Sequence, residues 1–126
     1  MKTVARLVVA SAAGVLSAAA VAHHGVPSNR MDIVESLEGS VVKWDFGSPH
    51  TWLTLDVEGV AWEIEGAPPR WMSGQGFLPE SLAPGNSVTV TFHPHRSTPR
   101  AGILMEVRRP DGSVLKVNRP ASLGGP

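Results

Sequence analysis

Beyond residue 30 the apolar residues recur with the two-residue period of β-strands. In residues 51–57, Leu53, Leu55 and Val57 take one face, and Trp52, Thr54 and Asp56 the other. A Glu58-Gly59 turn leads into residues 60–65, with Val60, Trp62 and Ile64 inward and Glu63 and Glu65 outward. Residues 87–93 place Val88, Val90 and Phe92 inward and Thr89, Thr91 and His93 outward. Residues 103–108 form a fifth strand on Ile103, Met105 and Val107. Pro110-Asp111-Gly112 then turns the chain into a short last strand over 114–117. The first strand, residues 31–44, is the longest. Ile33 and Leu37 share one phase and Val42 and Trp44 the other, with Gly39 between them, where a bulge or bend accommodates the change.

Ala67-Pro68-Pro69 stops the third strand, because proline offers no N–H to a ladder. Residues 70–76 predict one or two helical turns ending at a glycine, with Trp71, Met72 and Phe77 plugging one end of the core. Five or six strands with a helix between the third and fourth predict an all-β fold. It is a small five- to six-stranded OB-like barrel, placed ahead of an open β-sandwich.

The first 22 residues have a different pattern. Lys2 and Arg6 precede an apolar run over 7–20, and Ala20-Val21-Ala22 has the small-x-small form of a signal cleavage site. The run falls short of the roughly 20 residues a membrane span needs. The expected organisation is a cleaved signal peptide over 1–22, a flexible leader over 23–30, a barrel over 31–118 and a tail over 119–126. The expected location is the periplasm or the exterior, with no membrane anchor after cleavage. Removing Lys2 and Arg6 from the 11 basic residues leaves nine against 11 acidic ones, a net charge of −2. That disfavours nucleic acid, which wants a basic face. The chain has no cysteine, so disulfides and thiolate ligands are excluded.

The candidate chemistry lies in five histidines, His23, His24, His50, His93 and His95. Imidazole is the commonest metal ligand among side chains. His50 follows Pro49 in the first loop. His93 and His95 flank Pro94 at the end of the fourth strand. In an OB-like barrel those two loops border one groove. Cleavage after Ala22 makes His23 the N-terminal residue, able to chelate through amine and ring together. Cleavage after Ala20 instead leaves Val21-Ala22-His23, an amino-terminal X-X-His unit. Both arrangements suit copper(II), which favours tetragonal nitrogen sites. Zinc is the second choice, because three or four imidazoles make a tetrahedral site. Met31, Met72 and Met105 suit copper(I) by chemistry, and core packing accounts for them equally well.

Trp52 faces outward and offers a stacking surface to a sugar or a base. Glu63 and Glu65 share an outer face and read as solvated carboxylates. No nucleophile elbow and no phosphate-cradling glycine loop is present. The chain therefore leans away from catalysis.

The chain is similar to a group of small exported bacterial proteins classed as a domain of unknown function. The residues that carry the similarity are Ala22-His23-His24, Gly39-Ser40-Val41, Pro49-His50, Trp62-Glu63, the run from Leu82 to Val90, and Pro110-Asp111-Gly112. The chain has Gly25 and Ser48 where that pattern has serine and asparagine, and His93-Pro94-His95 lies outside it. The resemblance implies export and a small β-barrel, and it implies no activity. The functional expectation is a periplasmic barrel that binds copper through His23, His50 and His93 or His95, with His24 nearby. The alternative is a metal-free module that holds a protein, peptide or glycan on the face around Trp52.

Overall fold

The longest strand, β1 (Glu35–Asp45), serves two neighbours. Its first half, Glu35 to Ser40, runs antiparallel to β4 (Ser87–Pro94). Its second half, Ser40 to Asp45, runs antiparallel to β2 (Trp52–Val57). A strand shared in this way bends the sheet toward closure. The handover falls beside Gly39, where a Cβ would sit 2.7 Å from the Asp56 carbonyl oxygen and 2.9 Å from Val57 Cγ2. Only glycine allows the two backbones to approach that closely. The computed structural model describes residues 29–119. The expected signal peptide, most of the leader with His23 and His24, and the tail from residue 120 lie outside them.

The remaining strands complete the barrel. β2 pairs with β3 (Val60–Glu65) through the Glu58-Gly59 turn, and β4 pairs with β5 (Ala101–Arg108). The barrel closes where β3 and β5 run parallel, from Glu63 opposite Ala101 to Glu65 opposite Ile103. β6 (Val114–Lys116) adds a sixth strand on the outer side of β5. The single helix, α1 (Pro69–Ser73), lies between β3 and β4. This is the expected OB-like barrel, with five strands closed and one added.

The core follows the alternation read from the sequence. Leu53, Leu55, Ile64, Val88, Val90 and Phe92 are buried in it, and Met72 and Phe77 plug one end without any exposure. Trp62 packs edge-on against Phe92, with ring centroids 5.7 Å apart. Trp71, expected in the plug, instead lies on the outside and donates its indole N–H to the Asn118 carbonyl at 2.9 Å. Val60, expected inward, is exposed at the hairpin end.

Two bulges shift the phase where simple alternation fails. In β1 the register slips between Val41 and Lys43. Val41 enters the core, while Val42, expected to share the phase of Trp44, is 52% exposed. In β5, Thr91 faces Glu106 but Phe92 faces Leu104, so Met105 is the extra residue. Leu104 and Val107 join the main core cluster; Ile103, expected inward, is buried outside that cluster, and Met105 is partly exposed. The Met105 carbonyl is satisfied by the Val117 N–H at 2.7 Å, outside the β4–β5 ladder.

Gly102 lies where β5 passes closest to β4. A Cβ there would press on the Phe92 ring and sit 2.6 Å from the His93 carbonyl oxygen. Neither a core ring nor a ladder carbonyl yields freely. Gly102→Ala is therefore expected to lower stability by about 1–3 kcal/mol, as overpacking does. Equilibrium urea unfolding of the variant against the parent chain measures it.

Candidate functional site

Register carries four outward side chains across one end of the barrel. Trp52 on β2 faces Glu65 on β3, Glu65 faces Ile103 on β5, and Ile103 faces His93 on β4. All four face away from the barrel interior in one row, with Trp52 exposed and Ile103 and His93 buried. Strands are about 4.8 Å apart, so Glu65 and His93 are separated by roughly 10 Å with Ile103 between them.

His50 joins this row from the β1–β2 loop. It is held on its C-terminal side by Thr51, which is fully buried. The Thr51 N–H and hydroxyl both donate to the Ala67 carbonyl, at 3.1 and 3.0 Å, and the Thr51 carbonyl accepts the Gly66 N–H at 2.8 Å. A side chain at position 66 would collide with Thr51 Oγ1, so glycine there is part of the anchor. The Ser48–Pro49 peptide ahead of His50 is cis. From this anchor the His50 ring sets Nδ1 against Glu65 Oε1. An ionised carboxylate only accepts, so in the neutral ring Nδ1 carries the proton and Nε2 keeps its lone pair. A carboxylate behind an imidazole is the arrangement that orients metal-ligating histidines.

His93, read as outward, is only 6% exposed. Its alternation is as read, opposite Phe92, but the outer face is covered there. The segment before β1 crosses it, and His93 Nδ1 donates to the Ile33 carbonyl at 2.7 Å. A carbonyl cannot donate, so Nε2 again keeps its lone pair. His93 borders a pocket of about 310 Å³ with Met31, Leu104, Met105, Val117 and Arg119.

His95 has the opposite arrangement. Its Nδ1 accepts the N–H groups of Ser97 and Thr98, at 3.2 and 2.9 Å. In the neutral ring the proton then lies on Nε2, which becomes a donor. His95 lines a cleft of about 270 Å³ with Trp52, Glu63, Glu65, Thr98 and Asn29. Trp52 is 40% exposed, and Glu63 accepts the Thr54 hydroxyl at 3.1 Å. Asn29 forms a β-bridge with His95, and the Arg30 N–H donates to the Pro94 carbonyl at 2.8 Å. Asn29, the first described residue, thus borders the cleft.

The structure brings Trp52 and His95 into one cleft and joins His50 to it through Glu65. His93 opens to the neighbouring pocket. Among the described residues, no three His, Asp or Glu side chains gather closely enough to hold a metal ion, and no helix is long and apolar enough to cross a membrane. Two residues at this end escaped sequence reasoning. Glu65, read as a solvated carboxylate, is the partner of His50. Its position opposite Trp52 follows from the hairpin turn, which was a usable signal. Arg119, expected to fray with the tail, is partly buried and donates through Nη2 to the Glu65 carbonyl at 3.3 Å. Burial holds its guanidinium below the ordinary arginine value, and the Glu65 charge opposes that shift. No sequence pattern announces this contact.

Residues 10–106 match the family described as Family of unknown function (DUF6152), which is more than half of the chain. The chain belongs to DUF6152. No curated protein matches it. In this DUF6152 barrel the matched span ends within β5, so the cleft residues Trp52, Glu63, Glu65 and His95 all fall inside it.

The two hydrogen-bonded imidazoles differ in burial, and their removal should differ in consequence. His93→Ala leaves the Ile33 carbonyl without its donor and opens a hole under the segment before β1, and is expected to cost about 2 kcal/mol. His50→Ala, at a half-exposed position, is expected to cost less than about 1 kcal/mol. Thermal or urea unfolding of both variants gives the comparison.

Proposed function

We propose that this protein is an exported β-barrel that binds a transition metal, copper foremost, through histidines at the Trp52–Glu65–His95 cleft, as a carrier or sequestering protein. The observation that carries the reading is His50, whose Nδ1 is held by Glu65, which leaves the Nε2 lone pair of the neutral ring for a ligand. Export rests on the pattern of residues 1–22. Cleavage after Ala22 places the amine and ring of His23 only six residues ahead of Asn29, which borders the cleft. Six residues reach at most roughly 20 Å, enough to fold back across the cleft mouth. His23 would supply two nitrogens and His50 a third, a set suited to copper(II). His24 lies beside His23 and is equally within reach. His95 donates from Nε2 in its present tautomer and so positions a bound group rather than ligating it. Zinc is the second metal, with the same ligands.

A second reading takes the same cleft as a metal-free binding module. Trp52 presents an exposed ring next to Glu63 and Glu65, a combination that suits a cationic group of a peptide or protein partner.

Copper(II) titration of the correctly cleaved chain separates the two. Under the copper reading, His50→Ala and one extra residue ahead of His23 each remove most of the affinity. Glu65→Gln weakens it by about 10–100-fold, as loss of an orienting carboxylate does. Affinity unchanged in all three variants rejects the copper reading and leaves the Trp52 module.

A further inference from the structure

The pocket at His93 has a chemistry of its own. It is lined by one imidazole and two thioethers, those of Met31 and Met105, and no carboxylate among the described residues borders it. His93 is fixed by its Nδ1 bond to the Ile33 carbonyl, which leaves the Nε2 lone pair as its only free nitrogen valence. We propose that His93, Met31 and Met105 form a second metal site, selective for a soft monovalent ion, copper(I) in the first place.

The placement of the two methionines supports a role beyond filling space. Met105 is the bulged residue of β5, so the core is completed by Leu104 and Val107 without it. The bulge turns Met105 out of the core alternation and leaves it partly exposed at the pocket. Met31 reaches the pocket from the segment ahead of β1. That segment is pinned by the Arg30 N–H on the Pro94 carbonyl at 2.8 Å and by the Ile33 N–H on the Arg30 carbonyl at 3.0 Å. Met72, by contrast, is fully buried in the core plug. Thioethers are soft ligands and select copper(I) over zinc or a hard divalent ion. Arg119 borders the same pocket. Its repulsion grows with the charge of the bound ion, which favours a monovalent ion over a divalent one. Flexible methionine side chains in a pocket of about 310 Å³ have room to turn their sulfurs toward His93.

This site shares no ligand with the cleft at His50 and does not depend on the reading of that cleft. The test uses the mature chain labelled with 13C at the methionine methyl groups and titrated with silver(I), a redox-inert substitute for copper(I). The methyl signals of Met31 and Met105 are expected to move at one equivalent while that of Met72 stays. In competition with a copper(I) chelator, M31L/M105L is expected to lose at least about tenfold in affinity, and Met72→Leu, in the core plug, none. Methionine to leucine conserves volume, so the double variant should fold. If it does not, methyl mapping on the parent chain decides alone. Unmoved Met31 and Met105 signals, or a folded M31L/M105L that keeps its copper(I) affinity, overturn the site.

Discussion

The shared pairing of β1 is the constraint on which this molecule depends. One strand gives its first half to β4 and its second half to β2, and so brings the loop after β1 and the loop after β4 to the same end of the barrel. The close approach at Gly39 permits the bend. The parallel contact of β3 with β5 then locks it, because Glu65 and Ile103 become neighbours although 38 residues separate them. Without that closure, Trp52, Glu65, Ile103 and His93 would not form a row. The cleft and the pocket are consequences of barrel closure rather than of any local motif.

Within that frame, three histidines of identical chemistry acquire three roles from their partners. A carboxylate behind His50 and a carbonyl behind His93 both place the proton on Nδ1 and free Nε2. Two backbone N–H groups behind His95 do the reverse. Spacing alone made His93 and His95 the natural pair, two apart on one side of an extended segment. Hydrogen bonding separates them, and burial separates them further. Ile103 and Arg119 stand between His93 and Glu65, so the outer face is divided into a polar cleft and a thioether-lined pocket.

Much of this was legible before the fold was known. The Glu58-Gly59 turn sets Val57 opposite Val60, and counting outward from it puts Trp52 opposite Glu65. Strand alternation placed Leu53, Leu55, Ile64, Val88, Val90 and Phe92 in the core, because each strand has one dry face. The failures cluster where alternation is interrupted. At Val42 and Met105 a bulge adds one residue, and every residue beyond it changes face. Composition does not mark either bulge, since Val42 and Met105 are themselves apolar and each follows another apolar residue, Val41 and Leu104. Trp71 was misplaced for a related reason: a helix of five residues has too little periodicity to tell which aromatic faces in.

The sequence by itself determined the strands, their dry faces, the turn registers and the order that makes an OB-like barrel. These are local properties of period and turn chemistry, and they need no partner from elsewhere in the chain. Tertiary structure alone decided which group stands behind each imidazole, because the Glu65 carboxylate, the Ile33 carbonyl and the Ser97–Thr98 N–H groups reach their histidines across strand pairing or through loop geometry. It also decided that Asn118 and Arg119 are held rather than free, through the Trp71 indole and the Glu65 carbonyl. Those contacts set where the protons sit and which faces stay open, and that is the part of the chemistry that a pattern of residues cannot carry.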